Sequence, residues 1–134
     1  MFEHRRQVAF HEVDAAGIVF FPWFHVYLHE AMDAFFGGLE GGYARLINER
    51  RVGLPAVRLV SDFRAPLRYG DTVAVRVEAT RVGERSLSLR YAFFRDGGGE
   101  VAAFEQVVVA TDLARMCSVP LPEDVRSVAL AHLA

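Results

Sequence analysis

Apolar and polar residues alternate along most of the chain after Gly53, with the period of two that is typical of β-strands. The clearest case is Val73, Val75, Val77 and Ala79, each separated by one residue, most of these polar. Together these patterns predict strands at residues 4–10, 57–65, 73–80, 87–93 and 100–113. The last of these is apolar on both faces in its middle, as expected of a strand with a neighbour on each side.

Short turn sequences separate the predicted strands. The DGGG segment at residues 96–99 is a strong hairpin signal, and Gly83-Glu84 marks another turn. Because hairpins join neighbouring strands in opposite directions, we expect a mainly antiparallel sheet.

Between Pro22 and Gly53, and again near the end of the chain, the sequence is typical of helices. A long helix is predicted from Pro22 to Phe36, ended by Gly37-Gly38, with shorter helices at residues 43–49 and 123–133. Apolar residues cover most of the circumference of the long helix, so we expect it to be buried on most sides. His25, His29 and Asp33 form its one polar stripe. A curved antiparallel sheet of about five strands wrapped around this helix, an α+β fold, satisfies both patterns.

The overall composition narrows the class of protein. A chain of 134 residues with 52% hydrophobic and 24% charged residues fits a single globular domain spanning residues 1–134. The net charge of −2 argues against a nucleic-acid binder. We see no signal peptide and no membrane-length apolar run, so we expect a cytoplasmic protein that does not enter the membrane. Cys117 is the single cysteine, which excludes an intrachain disulfide; a catalytic thiol is the weaker alternative.

The segment DAAGIVFFPWFHVYLHEAM, residues 14–32, holds the candidate chemistry. Asp14 precedes a glycine turn, and the helix that follows has Phe20 and Phe21 where a capping Ser, Thr, Asp or Asn is usual. The amide groups at the helix start are therefore predicted to stay free for a ligand with negative character. Taken alone, an Asp before small residues and a Gly is far more often a turn residue than a catalyst.

This segment closely resembles the active-site segment of the 4-hydroxybenzoyl-CoA thioesterase family of hotdog-fold acyl-CoA thioesterases. The resemblance continues through residues 62–71, 82–91 and 107–125, and so covers nearly the whole chain. It implies a hotdog fold and hydrolysis of an acyl-CoA thioester to a free acid and CoA. It also implies a homodimer or homotetramer with sites at the subunit interface.

The resemblance assigns roles to four residues. Asp14 would attack the thioester carbon as a nucleophile or activate a water as a general base. The backbone amide of Phe21 would stabilise the oxyanion, and Gly17 would allow the tight turn. His25 would orient the substrate, although a polar stripe at a subunit contact explains it nearly as well.

The same resemblance points to residues that bind the two ends of the substrate. Arg85 and Ser86, with Arg64 and Arg68, are candidates for contacts with CoA, although each arginine could also be a solvated surface residue. An acyl pocket suited to a short-chain or aromatic group is expected at Phe20, Trp23 and Phe24. Beyond CoA, which is part of the substrate, no cofactor is expected.

Other functions are compatible with parts of the sequence. His25 and His29 have the spacing of a helical zinc site, with His11, Glu12 or Asp14 as a possible third ligand. The adjacent Glu of zinc hydrolases is missing, and we predict no metal. A hotdog hydratase or dehydratase and a non-catalytic acyl-CoA binding module are the competing classes, and the position of Asp14 before the helix favours the thioesterase.

Overall fold

The computed structural model describes all 134 residues of the chain. In chain order the strands are β1 (Phe2–Gln7), β2 (Val52–Gly53), β3 (Ala56–Phe63), β4 (Thr72–Val82), β5 (Ser86–Arg95), β6 (Glu100–Val109), β7 (Thr111–Asp112) and β8 (Cys117–Ser118). The helices are α1 (Trp23–Phe35), α2 (Gly42–Asn48) and α3 (Glu123–Ala131). Five strands form one antiparallel sheet in the order β1-β4-β5-β6-β3, and β2, β7 and β8 form a small second sheet. The predicted α+β architecture is confirmed.

The core lies between α1 and one face of the large sheet. The inner face consists of alternate residues, among them Val75 on β4, Tyr91 and Phe93 on β5 and Phe104 on β6, all fully buried. Helix α1 supplies buried side chains at three- and four-residue intervals: Phe24, Tyr27, Leu28, Ala31, Met32 and Phe35. The alternate residues of the strands and the residues on one side of α1 therefore pack together in a single core.

Two of the sequence predictions need correction. The predicted strand at 100–113 is two strands, β6 and β7, which are separated at Ala110. The amide of Ala110 still donates to the carbonyl of Arg85. Strand β7 then leaves the large sheet and pairs with β2 and β8. The predicted burial of the apolar positions of α1 needs correction at Val26, which lies beside the polar stripe. Val26 is 41% exposed, and His25, His29 and Asp33 are exposed beside it.

The two edges of the large sheet differ. Strand β1 carries Glu3 and Arg5, charged residues of the kind that protect an edge from further pairing. Strand β3 is exposed at all eight positions, including the apolar residues Val57 and Phe63. None of the helices combines the length and hydropathy that a membrane span requires.

Candidate functional site

The Asp14 loop, residues 14–18, is a tight turn held by its own backbone. The amide of Asp14 donates to the carbonyl of Ile18, and the amide of Gly17 donates to the carbonyl of Asp14, both at 2.9 Å. Gly17 has φ +80°, a conformation that residues with a side chain rarely adopt. The exposed carboxylate of Asp14 accepts the amide of Ala16 at Oδ1 (2.8 Å), while its Oδ2 has no partner in the chain.

Two neighbouring segments fix this loop to the sheet. The amide of Val19 donates to the carbonyl of Leu67 at 2.8 Å, and Ile18 forms an antiparallel bridge with Arg68. The amide of Phe20 donates to the carbonyl of Glu12 at 3.0 Å. The Asp14 carboxylate is therefore presented from a rigid turn although it lies outside any helix or strand.

The start of α1 has a free amide at Phe21, while the next three N–H groups are used by a tight turn. The amides of Trp23, Phe24 and His25 donate to the carbonyls three residues earlier, and Pro22 has no N–H. No acceptor in the chain lies within hydrogen-bonding distance of the Phe21 amide. The predicted absence of a side-chain cap is confirmed, with Pro22 in the capping position. The expectation that the amides at the helix start stay free is wrong for Trp23, Phe24 and His25, because a tight turn uses them.

The buried side chain of Glu12 anchors the segment that precedes the Asp14 loop. Its carboxylate is 3% exposed and accepts hydrogen bonds from Arg6 (2.7 and 2.8 Å), from the Tyr27 hydroxyl (2.8 Å) and from the Ala9 amide (2.8 Å). The guanidinium of Arg6 also binds Glu30 at 2.9 Å and lies 4.1 Å from the centre of the Tyr27 ring. Glu12 thus ties β1 and α1 to the segment that precedes Asp14.

The protonation of this cluster follows from its contacts. Burial acts to raise the pKa of Glu12, but the hydrogen bonds from Ala9 and Tyr27 and the charge of Arg6 outweigh it, so the pKa is lowered. Burial, followed by the hydrogen bond to Glu12, raises the pKa of the Tyr27 hydroxyl. Glu12 is therefore a buried, ionised carboxylate. The sequence analysis missed this role, because no local pattern reveals that a residue next to a surface loop has partners six and fifteen residues away.

An apolar cavity of about 380 Å³ opens beside the Asp14 loop and the start of α1. Aromatic residues from two parts of the chain form its walls, since Phe63 of β3 meets both Phe21 and Phe24 edge to face. The complete lining is Ile18, Val19, Phe21, Phe24, Phe63, Ala65 and Pro66. Ile18, the last residue of the Asp14 loop, and Phe21, just before α1, therefore connect this cavity to both segments.

The predicted acyl-pocket residues are only partly brought together. Phe24 lines the cavity, whereas Phe20 is 51% exposed and reaches it only through its contact with Phe21. Trp23 does not line this cavity; its ring packs edge-on against His11 at 5.2 Å. The contribution of Phe63 was missed, because it depends on β3 lying beside α1 in space.

The polar stripe of α1 lies on the exposed side of the helix. The ring of His25 packs against Phe104 at 5.6 Å, and the ring of His29 lies 6.4 Å from Tyr43. No three His, Cys, Asp or Glu side chains lie close enough together to hold a metal ion. Glu12, considered as a third ligand, is occupied by Arg6, and Cys117 is exposed on β8, which is not part of the large sheet.

The four candidate residues for CoA lie at opposite ends of the sheet. Arg68 pairs with Ile18 of the Asp14 loop, and Arg64 follows β3 at the same end, where it binds Glu100 at 2.7 Å. Arg85 and Ser86 lie at the turn between β4 and β5, and Arg85 donates to the Ser118 carbonyl at 2.7 Å. Strand β5 separates the two ends by about 30 Å for its ten residues. One chain alone does not place all four near Asp14.

Comparison with known proteins shows the family to which this chain belongs. A model described as the Thioesterase-like superfamily matches residues 8–128, which is most of the chain. The match includes the Asp14 loop, α1 and every strand of the large sheet except β1.

Several curated relatives and solved structures are similar over almost their full length. The chain is 26% identical to the 1,4-dihydroxy-2-naphthoyl-CoA hydrolase of Thermosynechococcus vestitus, covering 90% of this chain and 83% of that one. The structure of a gentisyl-coenzyme A thioesterase is 28% identical, with a TM-score of 0.84 and coverage of 93% and 99%. That of a 1,4-dihydroxy-2-naphthoyl-CoA thioesterase from Synechocystis is 25% identical, with a TM-score of 0.86 and coverage of 96% and 95%. The predicted hotdog fold is confirmed by these thioesterase structures.

Proposed function

This chain belongs to the thioesterase-like superfamily, and we propose that it hydrolyses an acyl-CoA thioester with an aromatic acyl group at the Asp14 loop. That it is an acyl-CoA thioesterase rests on its relatives, which are CoA thioester hydrolases. The relatives described above act on 1,4-dihydroxy-2-naphthoyl-CoA and gentisyl-CoA. The narrower resemblance to 4-hydroxybenzoyl-CoA thioesterases therefore stays a prediction.

One observation carries the proposed mechanism. Asp14, whose carboxylate keeps a free oxygen (Oδ2), belongs to the loop that ends at Ile18, and both Ile18 and Phe21, whose backbone amide is free, line the apolar cavity. Hydrolysis of a thioester needs a base or nucleophile for the carbonyl carbon and a donor for the developing oxyanion. Asp14 would supply the first, and the Phe21 amide, with the positive end of the α1 dipole, would supply the second.

The lining of the cavity favours an aromatic acyl group. Three phenylalanine rings offer edges and faces to a flat ring, and the cavity of about 380 Å³ lies within the range of small-molecule sites. A hydroxylated ring, as in the substrates of the two relatives, would bring its polar groups to the open side, where the cavity meets solvent.

A panel of acyl-CoA thioesters with detection of free thiol tests this function. We expect release of CoA to be fastest with benzoyl- or naphthoyl-type esters and slower with short aliphatic ones. Consumption of an enoyl-CoA without thiol release would instead identify a hydratase. Binding of the esters with no turnover of any of them would identify a binding module.

We also propose that the chain works as a homodimer or homotetramer, because β3 is an exposed edge with apolar side chains. Size-exclusion chromatography with light scattering should therefore give at least twice the chain mass of 15.0 kDa at micromolar concentration. A particle of single-chain mass under these conditions would contradict the proposal.

Arg85 is the proposed contact for the CoA phosphates. Its guanidinium has five donors, of which the contacts with Ser118 use only Nη1. Replacing Arg85 with alanine should raise KM for the best ester by roughly tenfold at low salt, with a smaller effect at high salt. Arg81→Ala, at an exposed position on the same hairpin, is the matched control and should leave KM unchanged. Equal KM values for the two variants would show that Arg85 does not bind CoA.

A further inference from the structure

We propose that a second cavity, at the beginning of β3, binds a small aromatic molecule that carries one uncharged oxygen acceptor, and that the side-chain amide of Gln106 recognises this oxygen. The cavity belongs to a single chain and lies at the other end of β3 from Phe63, which lines the cavity beside the Asp14 loop. The inference does not rest on the proposed function, because it is argued from the second cavity alone.

The second cavity has a volume of about 440 Å³, which lies within the range of small-molecule sites. Helices α1 and α2, the segment that leads into β3, and the turn between β7 and β8 surround it. Its floor is buried, since Met32, Tyr43 and Leu54 are at most 8% exposed. Ala56 and Met116 are exposed at its rim. The cavity is therefore a depression with a buried apolar floor and an open mouth.

Gln106 provides a hydrogen-bond donor at this floor. It lies on β6, lines the cavity and is 7% exposed. Its Oε1 accepts a hydrogen bond from the buried Tyr91 hydroxyl at 2.8 Å, whereas its Nε2 has no partner in the chain. Nε2 is not enclosed by protein atoms, because the enclosed side-chain polar atoms that lack a partner belong to Glu100 and His132. The amide N–H groups of Gln106 therefore open onto the cavity.

Tyr91 keeps the Gln106 side chain in this orientation. Burial raises the pKa of the Tyr91 hydroxyl, so the hydroxyl stays protonated and remains a donor. Its hydrogen bond occupies Oε1 and leaves Nε2 for a ligand. Because burying an amide without a partner is costly, a polar side chain at the floor of an apolar cavity is unusual unless a ligand or a water completes its hydrogen bonds.

The lining determines the class of ligand. Nε2 can only donate, so the ligand needs an acceptor. No arginine lines the cavity, and His29 lies at its exposed rim. A carboxylate at the floor would be a buried charge without an opposite charge, which is unfavourable, so the acceptor is an uncharged carbonyl or hydroxyl oxygen. The ring of Tyr43 and the thioether of Met32 offer the contacts that aromatic rings favour.

Met116 shapes the mouth of the cavity. Its backbone has φ +53°, a conformation that residues other than glycine rarely adopt. Its amide donates to the carbonyl of Asp112 at 2.7 Å, and the Asp112 carboxylate accepts the amides of Ala114 and Arg115. The turn thus holds an exposed methionine at the rim, where its flexible side chain can adapt to the outline of a ligand.

The two cavities are separate within one chain. Ala56 lines the second cavity and Phe63 lines the cavity beside the Asp14 loop. These residues are the two ends of β3, which places them roughly 20 Å apart. A ligand bound at Gln106 therefore does not contact the Asp14 loop of the same chain.

Two probes of the same shape test the donor. Acetophenone and α-methylstyrene differ in having C=O or C=CH₂ at the same position, so only acetophenone can accept from Gln106. Titration of the wild type followed by nuclear magnetic resonance gives a Kd for each probe. We expect acetophenone to shift the side-chain amide signal of Gln106 and the backbone amides of Leu54, Ala56 and Met116. No binding of either probe at these residues would overturn the proposed site.

Removing the donor should change the preference between the probes. In Gln106→Met, the Kd of α-methylstyrene divided by that of acetophenone should fall about tenfold, because the bound carbonyl then lacks a donor. Using this ratio cancels the difference in hydration between the probes. Tyr91→Phe is the matched control, since it removes the partner of Gln106 but keeps Nε2, and it should leave the ratio nearly unchanged.

A double variant protects this test against misfolding. Gln106→Met leaves the buried Tyr91 hydroxyl without a partner, whereas Tyr91→Phe combined with Gln106→Met removes both polar groups, a change that can be nearly neutral for stability. The double variant should show the same fall in the ratio as Gln106→Met. A ratio equal to that of the wild type in either variant would show that Gln106 does not recognise the oxygen.

Two tryptophan substitutions assign the binding to one cavity. Ala56→Trp fills the second cavity and should abolish the shift of the Gln106 signal, while Ala65→Trp fills the cavity beside the Asp14 loop and should leave that shift unchanged. The reverse result would overturn the proposed site. None of these measurements uses thioesterase activity, so a failure of the proposed function would leave their result standing.

Discussion

Replacing Asp14 with asparagine should lower the rate of thioester hydrolysis by about 10²–10⁴-fold, the range for loss of a general base. Asparagine keeps the shape of the side chain, and its Oδ1 can still accept the Ala16 amide that holds the turn. It cannot act as a base or form an anhydride with the substrate. The change should therefore appear in kcat, while KM and the melting temperature stay close to those of the wild type.

A matched substitution separates chemistry from turn structure. Asp71 also binds a backbone amide through its carboxylate, that of Arg68 at 2.8 Å, but it is not proposed to act on the substrate. Asp71→Asn should thus retain most of the activity. If Asp14→Asn kept more than half of the wild-type rate, Asp14 would be a turn residue and the mechanism proposed here would be wrong.

Replacing Glu12 with alanine should lower the free energy of unfolding by about 3–5 kcal/mol, the range for removing one partner of a buried ion pair. The carboxylate is 3% exposed, and without it Arg6 and the Tyr27 hydroxyl lose their shared acceptor within the protein. Urea unfolding followed by circular dichroism measures this difference.

Glu49→Ala provides the control for the Glu12 substitution. Glu49 also binds an arginine, Arg45, at 2.9 Å, but its side chain is 69% exposed. An exposed pair of this kind contributes at most about 1 kcal/mol, so Glu49→Ala should change the stability little. Equal losses for the two variants would contradict the structural role assigned to Glu12.

The pH dependence of the free energy of unfolding should reveal the same carboxylate, that of Glu12. Because the pKa of Glu12 is lowered in the folded protein from its ordinary 4.5, its ionised form stabilises the fold at pH values above 4.5. This stabilisation is lost as the pH falls below 4.5 and through the lowered pKa. Glu12→Gln should therefore be less stable than the wild type at neutral pH, and the difference should shrink in acid. If the difference in the free energy of unfolding between the wild type and Glu12→Gln were the same at pH 7 and pH 3, the ionised Glu12 carboxylate would not be its cause.

Replacing Glu12 should also lower the catalytic activity. Its carbonyl accepts the Phe20 amide, and its carboxylate fixes the turn between β1 and the Asp14 loop. Glu12 does not touch the cavity, so it is a positioning residue whose effect passes through Asp14 and the Phe21 amide. Glu12→Gln, which can keep part of the hydrogen bonding, should lower kcat more than it raises KM.

Much of the fold could be predicted from local patterns. The alternation of Val73, Val75 and Val77 predicted β4 within two residues at each end, and the DGGG segment predicted the hairpin between β5 and β6. The helix at α1 was predicted within one residue at each end. These features depend on residues close together in sequence, whose spacing and turn preferences act before any tertiary contact.

Other features depended on partners distant in sequence. The strand predicted at 100–113 divides at Ala110, because β7 pairs with β2, about sixty residues earlier in the chain, and an apolar run does not reveal such a change of partner. The acyl cavity needs Phe63 beside Phe24, and its predicted wall at Trp23 faces His11 instead. A helical pattern shows which residues are apolar, but the neighbouring strand decides which of them line a cavity.

The sequence by itself determined the helices and the approximate positions of the five long strands, the uncapped start of α1 and the placing of Asp14 before it. Each of these follows from residue type and spacing over a few positions. Only the tertiary structure decided that Glu12 is buried against Arg6 and Tyr27, that the Phe21 amide stays free, and that β3 is an open edge. These properties depend on the order β1-β4-β5-β6-β3, which brings together segments up to about ninety residues apart. Hydrogen-bond partners are set by those neighbours in space, and the periodicity of a single segment does not identify which neighbours they are.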